Sequence, residues 1–407
     1  MTVPQLQTSP GQSSAIATGT RVASADVLRG MVMVLMAIDH VRVYSGVPAG
    51  GPTAGVFFTR WVTHFCAPGF AFLAGSGVFL YAQKHSGVSK FLATRGLWLV
   101  LLELTVVRVA WTFNFHFLDY DLAGVLWMLG WCMVMMAALV KLPIKVVGAV
   151  GLAIICLHNL MDHAMPGIVK SLETNPYAAL WKFLYVGFWA GPVQMGAHGP
   201  TVYVLYSLIP WIGVMAAGYA FGSVFALTPE RRRQVCMMVG LVAIAAFVLL
   251  RATHFYGDPR PWQGWQTVHG MPPLLAFLNT TKYPASLCFL LMTLGPAILA
   301  IPLFESGSSA FAKVMMVYGR VPFFFYLLHI PLIHALALIV SKIRFGYVDP
   351  WLFTNHPMGN PQPPDGYVWS LPLLYLVWAI AVFLLFFACR WYAAVKARHK
   401  DGRLRYL

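Results

Sequence analysis

Ten apolar segments, each long enough to cross a bilayer, follow one another along the 407-residue chain. About 20 apolar residues in a helix span the hydrocarbon core of a membrane, where every backbone polar group must be paired within the protein. We therefore predict an all-α, polytopic integral membrane helix bundle of about ten transmembrane helices, with nine to eleven possible. The predicted spans are 27–46, 61–83, 91–111, 123–142, 144–160, 202–226, 234–253, 283–304, 320–341 and 369–390.

The composition supports this fold class. Hydrophobic residues make up 59% of the chain and charged residues only 10%, whereas soluble domains carry roughly 25% charged residues. The six cysteines show no CxxC spacing and are expected to be buried free thiols. No metal-ligand cluster or nucleic-acid-binding motif is apparent, so neither a metal site nor a nucleic-acid partner is predicted.

Lysine and arginine predict the orientation, because they are enriched in short cytoplasmic loops. With the N-terminus inside, sixteen of these residues fall on the cytoplasmic side and seven on the outer side. Both termini are therefore expected in the cytoplasm, and the protein is expected as a multi-pass protein of the cell inner membrane. The predicted organisation is a disordered tail (1–20), one transmembrane domain (21–392) and a basic cytoplasmic tail (393–407), with outer loops 161–201 and 254–282 as potential lids.

Ionisable side chains within the spans are costly in lipid and indicate function unless they are paired. Most of them fall in the outer half of the predicted bundle, which predicts a polar cavity facing outward. Arg29 and Arg95 lie instead near the cytoplasmic side. Arg108 and Arg251 can alternatively extend to the headgroups, and Glu103 is expected to pair with Arg108 or another arginine. The outer-half candidates are Asp39, His40, Arg42, His64, Arg108, Lys282, His329 and His334.

The first span combines a cation and a titratable base on one side of its helix. Arg29 and His40 are eleven residues apart, which is about three helical turns. Their directions around the helix axis therefore differ by only about 20°, and their Cα atoms are roughly 16 Å apart. This arrangement suits a ligand that extends into the membrane. Asp39 points about 100° away from His40. It is therefore expected to pair with Arg42, three residues on, or to orient His64.

Several stretches resemble the bacterial membrane proteins with a heparan-alpha-glucosaminide N-acetyltransferase-like catalytic domain. The stretches are DVLRG…MAIDH, FFTRWVTHFCAPGFAFLAGSG, FLATRGLWLVLLELTVVR, LIPWIGVMAAGYAFG, NTTKYPASLCFLLMTLGP and YGRVPFFFYLLHIPLIH, and they cover roughly residues 21–340. The resemblance implies a transmembrane acyltransferase without a bound cofactor. Cytoplasmic acetyl-CoA or acyl-CoA would be the donor, and the acceptor would be a hydroxyl or amine, on a glycan or lipid-linked sugar, at the outer face.

The spacing of Arg29 and His40 also resembles the arginine–histidine motif of membrane O-acyltransferases that modify cell-surface sugars. This resemblance implies a donor contact at Arg29, together with Arg95, and a catalytic base at His40. The lysosomal enzyme that names the domain has asparagine at the position of His40, and its essential histidine aligns near Ala54. His64 is the nearest histidine to that position, and so His40 and His64 both remain candidates for the base.

The other predicted roles follow from the needs of acyl transfer. Asp39 is assigned to the catalytic group because it can orient a histidine. Positive charge or hydrogen-bond donors are needed at the developing oxyanion and at the acceptor. The predicted contributors are Arg42, Arg108, Lys282, His329 and His334. The alternative function is a proton-coupled transporter of a small polar solute, and a third is a non-catalytic membrane scaffold. The sequence predicts no oligomeric state.

Overall fold

A computed structural model describes residues 22–51, 53–172, 175–263, 270–358 and 361–398, and most of these residues are helical. In that part of the chain, short 3₁₀ and π turns join or extend several helices. The α-helices are α1 (Ala23–Ser45), α2 (Ala54–Trp61), α3 (Cys66–Ala82), α4 (Val88–Leu102), α5 (Arg108–Thr112), α6 (Val125–Leu139), α7 (Ile144–Leu157), α8 (Met165–Ser171), α9 (Leu208–Phe221), α10 (Pro229–Thr253), α11 (Pro273–Leu278), α12 (Leu287–Ala300), α13 (Ala310–Gly319), α14 (Pro322–Phe345) and α15 (Leu371–Arg398).

Seven helical segments among the described residues are long and apolar enough to cross a membrane. They are Ala54–Ala82, Ile144–His163, Leu208–Ala226, Pro229–Thr253, Leu287–Phe304, Pro322–Phe345 and Leu371–Arg398. The other three predicted spans are also helical. However, α1 carries four charged residues in its 23, a π turn joins α4 to α5, and α6 has only 15 residues. The helical membrane bundle is thus confirmed, while the count of ten and the location of the termini stay predictions.

Helix α1 lies inside the bundle, which explains how a span with so many charges is tolerated. It packs against α3, α13, α14 and α15. The backbones of α1 and α13 approach each other closely, and a glycine on each helix permits this contact. A Cβ at Gly30 would collide with the carbonyl of Met315, and one at Gly319 with the carbonyl of Asp26. Small residues at such crossings let membrane helices approach closely. The charged residues of α1 consequently face other helices more than lipid.

A small three-stranded sheet departs from the all-α prediction. It consists of β1 (Asp121–Ala123), β2 (Val193–Gln194) and β3 (Thr201–Val204), in the order β1-β3-β2. β1 pairs with β3 in parallel, and β2 pairs with β3 in antiparallel orientation. The predicted span 202–226 therefore begins as a strand, and its helix starts only at Leu208. The segment TVYV is rich in β-branched and aromatic residues, which favour strands.

Candidate active site

His40 and His329 form a hydrogen-bonded pair between α1 and α14. The distance from His40 Nδ1 to His329 Nε2 is 2.6 Å. The two rings are stacked with centroids 4.8 Å apart, and Trp111 packs edge-on against His40 at 4.8 Å. His329 is fully buried, whereas His40 is partly exposed. The pair joins two residues that are 289 positions apart in the sequence.

The hydrogen bonds of this pair determine which ring nitrogens carry protons. His329 Nδ1 lies 2.6 Å from the carbonyl oxygen of Tyr326 and 3.1 Å from that of Phe325. Because a carbonyl oxygen only accepts, His329 Nδ1 must donate, and in the neutral ring Nε2 must accept. His40 Nδ1 is then the donor to His329. The remaining nitrogen of a neutral His40, Nε2, consequently keeps its lone pair and can accept a proton.

A charged cluster lies next to the histidine pair on α1. Asp39 forms a salt bridge of 2.7 Å with Arg42, the pairing expected from their spacing, and a longer one of 3.9 Å with Arg60 from α2. Arg42 also donates to the carbonyl of Val47 at 3.0 Å. Arg60 hydrogen-bonds the side chain of Tyr283. Asp39 therefore holds two guanidinium groups beside His40 and does not contact His40 as an orienting partner.

These groups border a cavity of about 430 Å³ that we call the histidine cavity. Its walls come from α1 and the loop after it, α2, the α4–α6 region, the segment that follows β3, α14, and the loops before α12 and α15. Its polar lining residues are Asp39, His40, Arg42, Arg60, Glu103, Tyr206, Tyr283, Tyr326, His356 and Gln362. Burial lowers the pKa of the loop residue His356 to about 3, so that this histidine is neutral. Positive charge in this cavity comes from the two arginines.

A second cavity, the arginine cavity, contains both predicted donor contacts. It has a volume of about 300 Å³ and is lined mainly by apolar side chains of α1, α3, α4, α6 and α14. Arg29 forms a 3.0 Å salt bridge with Asp26 and donates to the carbonyl of Gly319 at 3.2 Å. Arg95 lies 5.7 Å from the ring centroid of Phe323. The structure thus brings together two arginines that are 66 residues apart in the sequence.

Two residues, Val125 and Tyr326, line both cavities and form a shared wall. The side chain of Tyr326 hydrogen-bonds Glu103. Glu103 begins the π turn Glu103–Val107 and accepts from the backbone N–H of Leu126 at 3.2 Å. A Cβ at Gly124 would collide with the Glu103 carboxyl group, so that glycine is needed there for the carboxyl to reach this position. The expected Glu103–Arg108 pair is wrong, because Glu103 turns toward α6 and α14.

His64 occupies a separate and smaller cavity, the loop cavity, of about 210 Å³. Both ring nitrogens of His64 are buried without a hydrogen-bond partner, and its ring packs edge-on against Phe289 at 5.4 Å. Lys282 lies nearby with its Nζ 5.2 Å from the Tyr283 ring centroid. The other lining residues are Ala49, Gly50, Phe57, Arg60, Trp61, Trp189, Arg260, Asn279, Thr280 and Thr281. Arg60 and Tyr283 separate this cavity from the histidine cavity.

The segment that carries Lys282 and Tyr283 is held by a buried ion pair. Arg251 and Asp258 lie 3.5 Å apart, and each side chain is only 1% exposed. Arg251 donates to the carbonyl groups of Ala276, Phe277 and Asn279 at the C-terminal end of α11 and to that of Arg260. Asp258 accepts from the backbone and hydroxyl of Thr281 and from the hydroxyl of Ser286. Arg251 is thus buried in protein, and the alternative that it extends to headgroups is wrong.

Three predicted site residues line none of these cavities: Arg108, His334, and His329, the last of which contacts His40. Arg108 donates to the carbonyls of Tyr120, Asn114 and His116 and to three side-chain oxygens. Its donors stabilise the turn after α5, which explains why it is buried without lining the site. His334 stacks on Tyr44 and Phe113 and hydrogen-bonds the carbonyl of Ala110. Of the residues expected at one outward-facing polar cavity, Asp39 and His40 line the histidine cavity, His64 and Lys282 line the loop cavity, and His334 lines neither.

Two residues at central positions, Arg60 and Tyr326, were not among the sequence candidates. Arg60 lies just before the predicted span 61–83, whereas the structure places it within the helical segment Ala54–Ala82. Tyr326 follows three aromatic residues in PFFFY, a pattern that is more typical of a packed core. A signal was available for Tyr326, since it lies three residues before His329 and therefore on the same helix face.

Comparison with known proteins supplies the family. The family model described as "Heparan-alpha-glucosaminide N-acetyltransferase, catalytic" matches residues 21–256, which is more than half of the chain. That range contains His40, His64, Arg29, Arg95 and Arg60. None of the curated proteins compared with the chain matches it. The family match agrees with the resemblance found in the sequence, and the chain belongs to the family of heparan-alpha-glucosaminide N-acetyltransferase catalytic domains.

Proposed function

We propose that this protein transfers an acetyl or other acyl group from cytoplasmic acyl-CoA to a hydroxyl or amine at the outer face of the cell inner membrane. The family supports a membrane acetyltransferase. The assignment of the donor and the catalytic groups to two adjacent cavities is supported by one observation. Val125 and Tyr326 form a shared wall between the arginine cavity and the histidine cavity. A donor bound on one side of this wall has its reactive end next to the groups on the other side.

The arginine cavity suits the donor. Acyl-CoA has an anionic phosphate end and a thin pantetheine arm that ends in the thioester. Guanidinium groups pair well with phosphates, which supports Arg29 and Arg95 as contacts for the anionic end. The apolar walls of the cavity suit the arm. In this proposal the thioester passes Tyr326 and enters the histidine cavity.

The histidine pair suits general base catalysis. His40 Nε2 takes the proton from the acceptor hydroxyl or amine, while the acceptor oxygen or nitrogen attacks the thioester carbon. Collapse of the tetrahedral intermediate breaks the carbon–sulfur bond, and the thiolate leaves with the proton as free CoA thiol. His329 stabilises the protonated His40 through the Nδ1–H hydrogen bond. This supporting role replaces the acceptor or oxyanion role predicted for His329.

The charged cluster suits the oxyanion. Arg42 and Arg60 line the same cavity as His40 and are held by Asp39. Positive groups that are already in place stabilise developing negative charge without reorganisation. Lys282 adds charge from the neighbouring loop cavity. We assign Asp39 to positioning these arginines, and we assign the acceptor, a glycan or lipid-linked sugar, to the loop side of the histidine cavity.

The orientation is part of the proposal. It is supported by the sixteen-to-seven distribution of lysine and arginine and by the position of Arg29, next to the end of α13. A reporter enzyme that is active only outside the cytoplasm should remain inactive when it is fused after Leu407. An active reporter would place the C-terminus outside and would remove the cytoplasmic donor from the proposal.

The activity itself is tested with the full-length protein in detergent. We expect acetyl-CoA to bind and to acetylate at least one member of a panel of amino sugars, glycans and lipid-linked sugars. His40→Ala is the matched control and should bind the donor without transfer. A protein that neither binds nor consumes acetyl-CoA, yet carries solutes into proteoliposomes, would instead be the proton-coupled transporter.

A further inference from the structure

A groove with cationic side chains lies between α13, the link from α13 to α14, and the end of α15. We call it the basic groove, and its volume is about 690 Å³. It shares no lining residue with the arginine cavity, but it opens at the same end of the bundle, because Arg29 contacts Gly319 at the end of α13. The groove is lined by Lys313, Val314, Val317, Arg320, Val321, Phe386, Arg390, Ala393, Ala394, Lys396 and Ala397.

The lining has two chemical parts. Four of these described residues are cations and none is an acid, so the groove is strongly positive. The other residues are apolar, and they continue the groove along α15. Phe386 lies one turn before Arg390, and the neighbouring Phe383 and Phe387 are 62% and 52% exposed. A ligand that matches this groove has an anionic head and an apolar tail.

The groove lies at the end of two candidate membrane spans. The ring of Phe324, near the start of α14, stacks on that of Tyr392, near the end of α15, with centroids 4.3 Å apart. The two helices therefore run in opposite directions and reach the same membrane surface here. Basic sites between membrane helices at the cytoplasmic surface recognise anionic lipid headgroups. Neither an inorganic phosphate nor a free nucleotide has a tail that would cover the phenylalanines.

We propose that the basic groove binds the phosphate of an anionic phospholipid, with an acyl chain packed along Phe386 and its exposed neighbours. Lys313 and Arg390, which are both exposed, contact the headgroup. The site is distinct from the donor cavity, and lipid binding does not depend on acyl transfer.

Native mass spectrometry of the full-length protein in detergent tests this proposal. We expect dioleoyl phosphatidylglycerol to be retained at least about tenfold more than dioleoyl phosphatidylcholine. The double variant Lys313→Gln, Arg390→Gln should lose this preference by about tenfold, because attraction to anionic lipid scales with the number of nearby cations. The matched control is Arg231→Gln, Arg233→Gln, which removes two exposed cations from the start of α10 and should behave as the unsubstituted protein.

Three results would overturn the proposal. They are equal retention of the two lipids, an equal loss in the control variant, or displacement of phosphatidylglycerol by millimolar inorganic phosphate or adenosine 3′,5′-bisphosphate. Displacement would identify a site for a soluble phosphate. If the double variant unfolds, as judged by its melting temperature, the single substitution Arg390→Glu provides the same test.

Discussion

The two histidines that the sequence offers as the base lie in contrasting surroundings. His40 donates to a second histidine at 2.6 Å and borders the larger histidine cavity, which shares a wall with the arginine cavity. His64 is buried against Phe289, has no hydrogen-bond partner for either ring nitrogen, and borders the smaller loop cavity. A base needs both a defined proton position and access to substrate. The comparison therefore favours His40 for proton transfer and gives His64 a packing role beside the acceptor.

Removing the His40 ring should have the largest effect on the rate. We expect His40→Ala to lower kcat by 10²–10⁴-fold, which is the usual contribution of a general base. The KM for acetyl-CoA should change little, because the donor is held from the arginine cavity. Steady-state kinetics with saturating acceptor measure both constants. If His40→Ala keeps an activity near that of the unsubstituted protein, His40 is not the base and His64 becomes the candidate.

Cutting the ion pair behind the loop cavity should mainly affect stability. We expect Asp258→Asn to lower the free energy of unfolding by about 3–5 kcal/mol, because it leaves Arg251 buried without its partner. Thermal unfolding in detergent would show the loss. A matched control is Asp365→Asn, which changes an exposed carboxylate in the loop before α15. If Asp258→Asn lowers kcat while the melting temperature is unchanged, the Lys282 segment takes part in the chemistry.

Removing the partner of His40 should have an intermediate effect. We expect His329→Ala to lower kcat by about 10–100-fold, because the protonated form of His40 loses its acceptor and the ring loses its fixed orientation. His329→Gln should recover part of the rate, since its amide oxygen can accept the hydrogen bond. The pH dependence of kcat should also shift in His329→Ala. An unchanged pH profile with equal loss in both variants would indicate only a packing role.

Removing one donor contact should have a smaller effect, and mainly on KM. We expect Arg29→Ala to raise the KM for acetyl-CoA by about tenfold with kcat nearly unchanged, because a contact made equally in the ground and transition states affects KM. Arg95→Ala should act in the same direction. Arg231→Ala, an exposed cation at the start of α10, is the control. A loss of kcat at constant KM would contradict the assignment of the donor to the arginine cavity.

Much of the fold could be predicted because long apolar runs leave few options in a membrane. The boundaries of α6 and α7 and the start of α15 lie close to the predicted ones for this reason, whereas α15 continues to Arg398, beyond the predicted end at residue 390. The three-stranded sheet could not be predicted, since β1 and β3 are 77 residues apart and neither strand is longer than four residues. The π turn Glu103–Val107 was not predicted either, and the hydrogen bond from Leu126 of α6 to the Glu103 carboxyl group is a contact that the sequence does not reveal.

The site was predicted in part. The stripe of Arg29 and His40 follows from helix geometry alone, and the cost of buried charge pointed to Asp39 and Arg42. The partnership of His40 with His329 could not be derived, because it joins helices that are far apart in the sequence. The location of Arg108 and His334 outside the cavities could not be derived for a related reason. The position of a residue along a predicted span does not reveal which carbonyl group or aromatic ring its side chain contacts.

The central claim is that a donor in the arginine cavity presents its thioester to His40 past Tyr326. A structure of the full-length protein with bound acetyl-CoA, determined by electron cryomicroscopy, tests it most directly. The account predicts phosphates next to Arg29 or Arg95, the pantetheine arm along the apolar cavity wall, and the acetyl group in the histidine cavity beside His40. An acetyl group in the loop cavity against His64, or a donor that enters from the opposite end of the bundle, would contradict it.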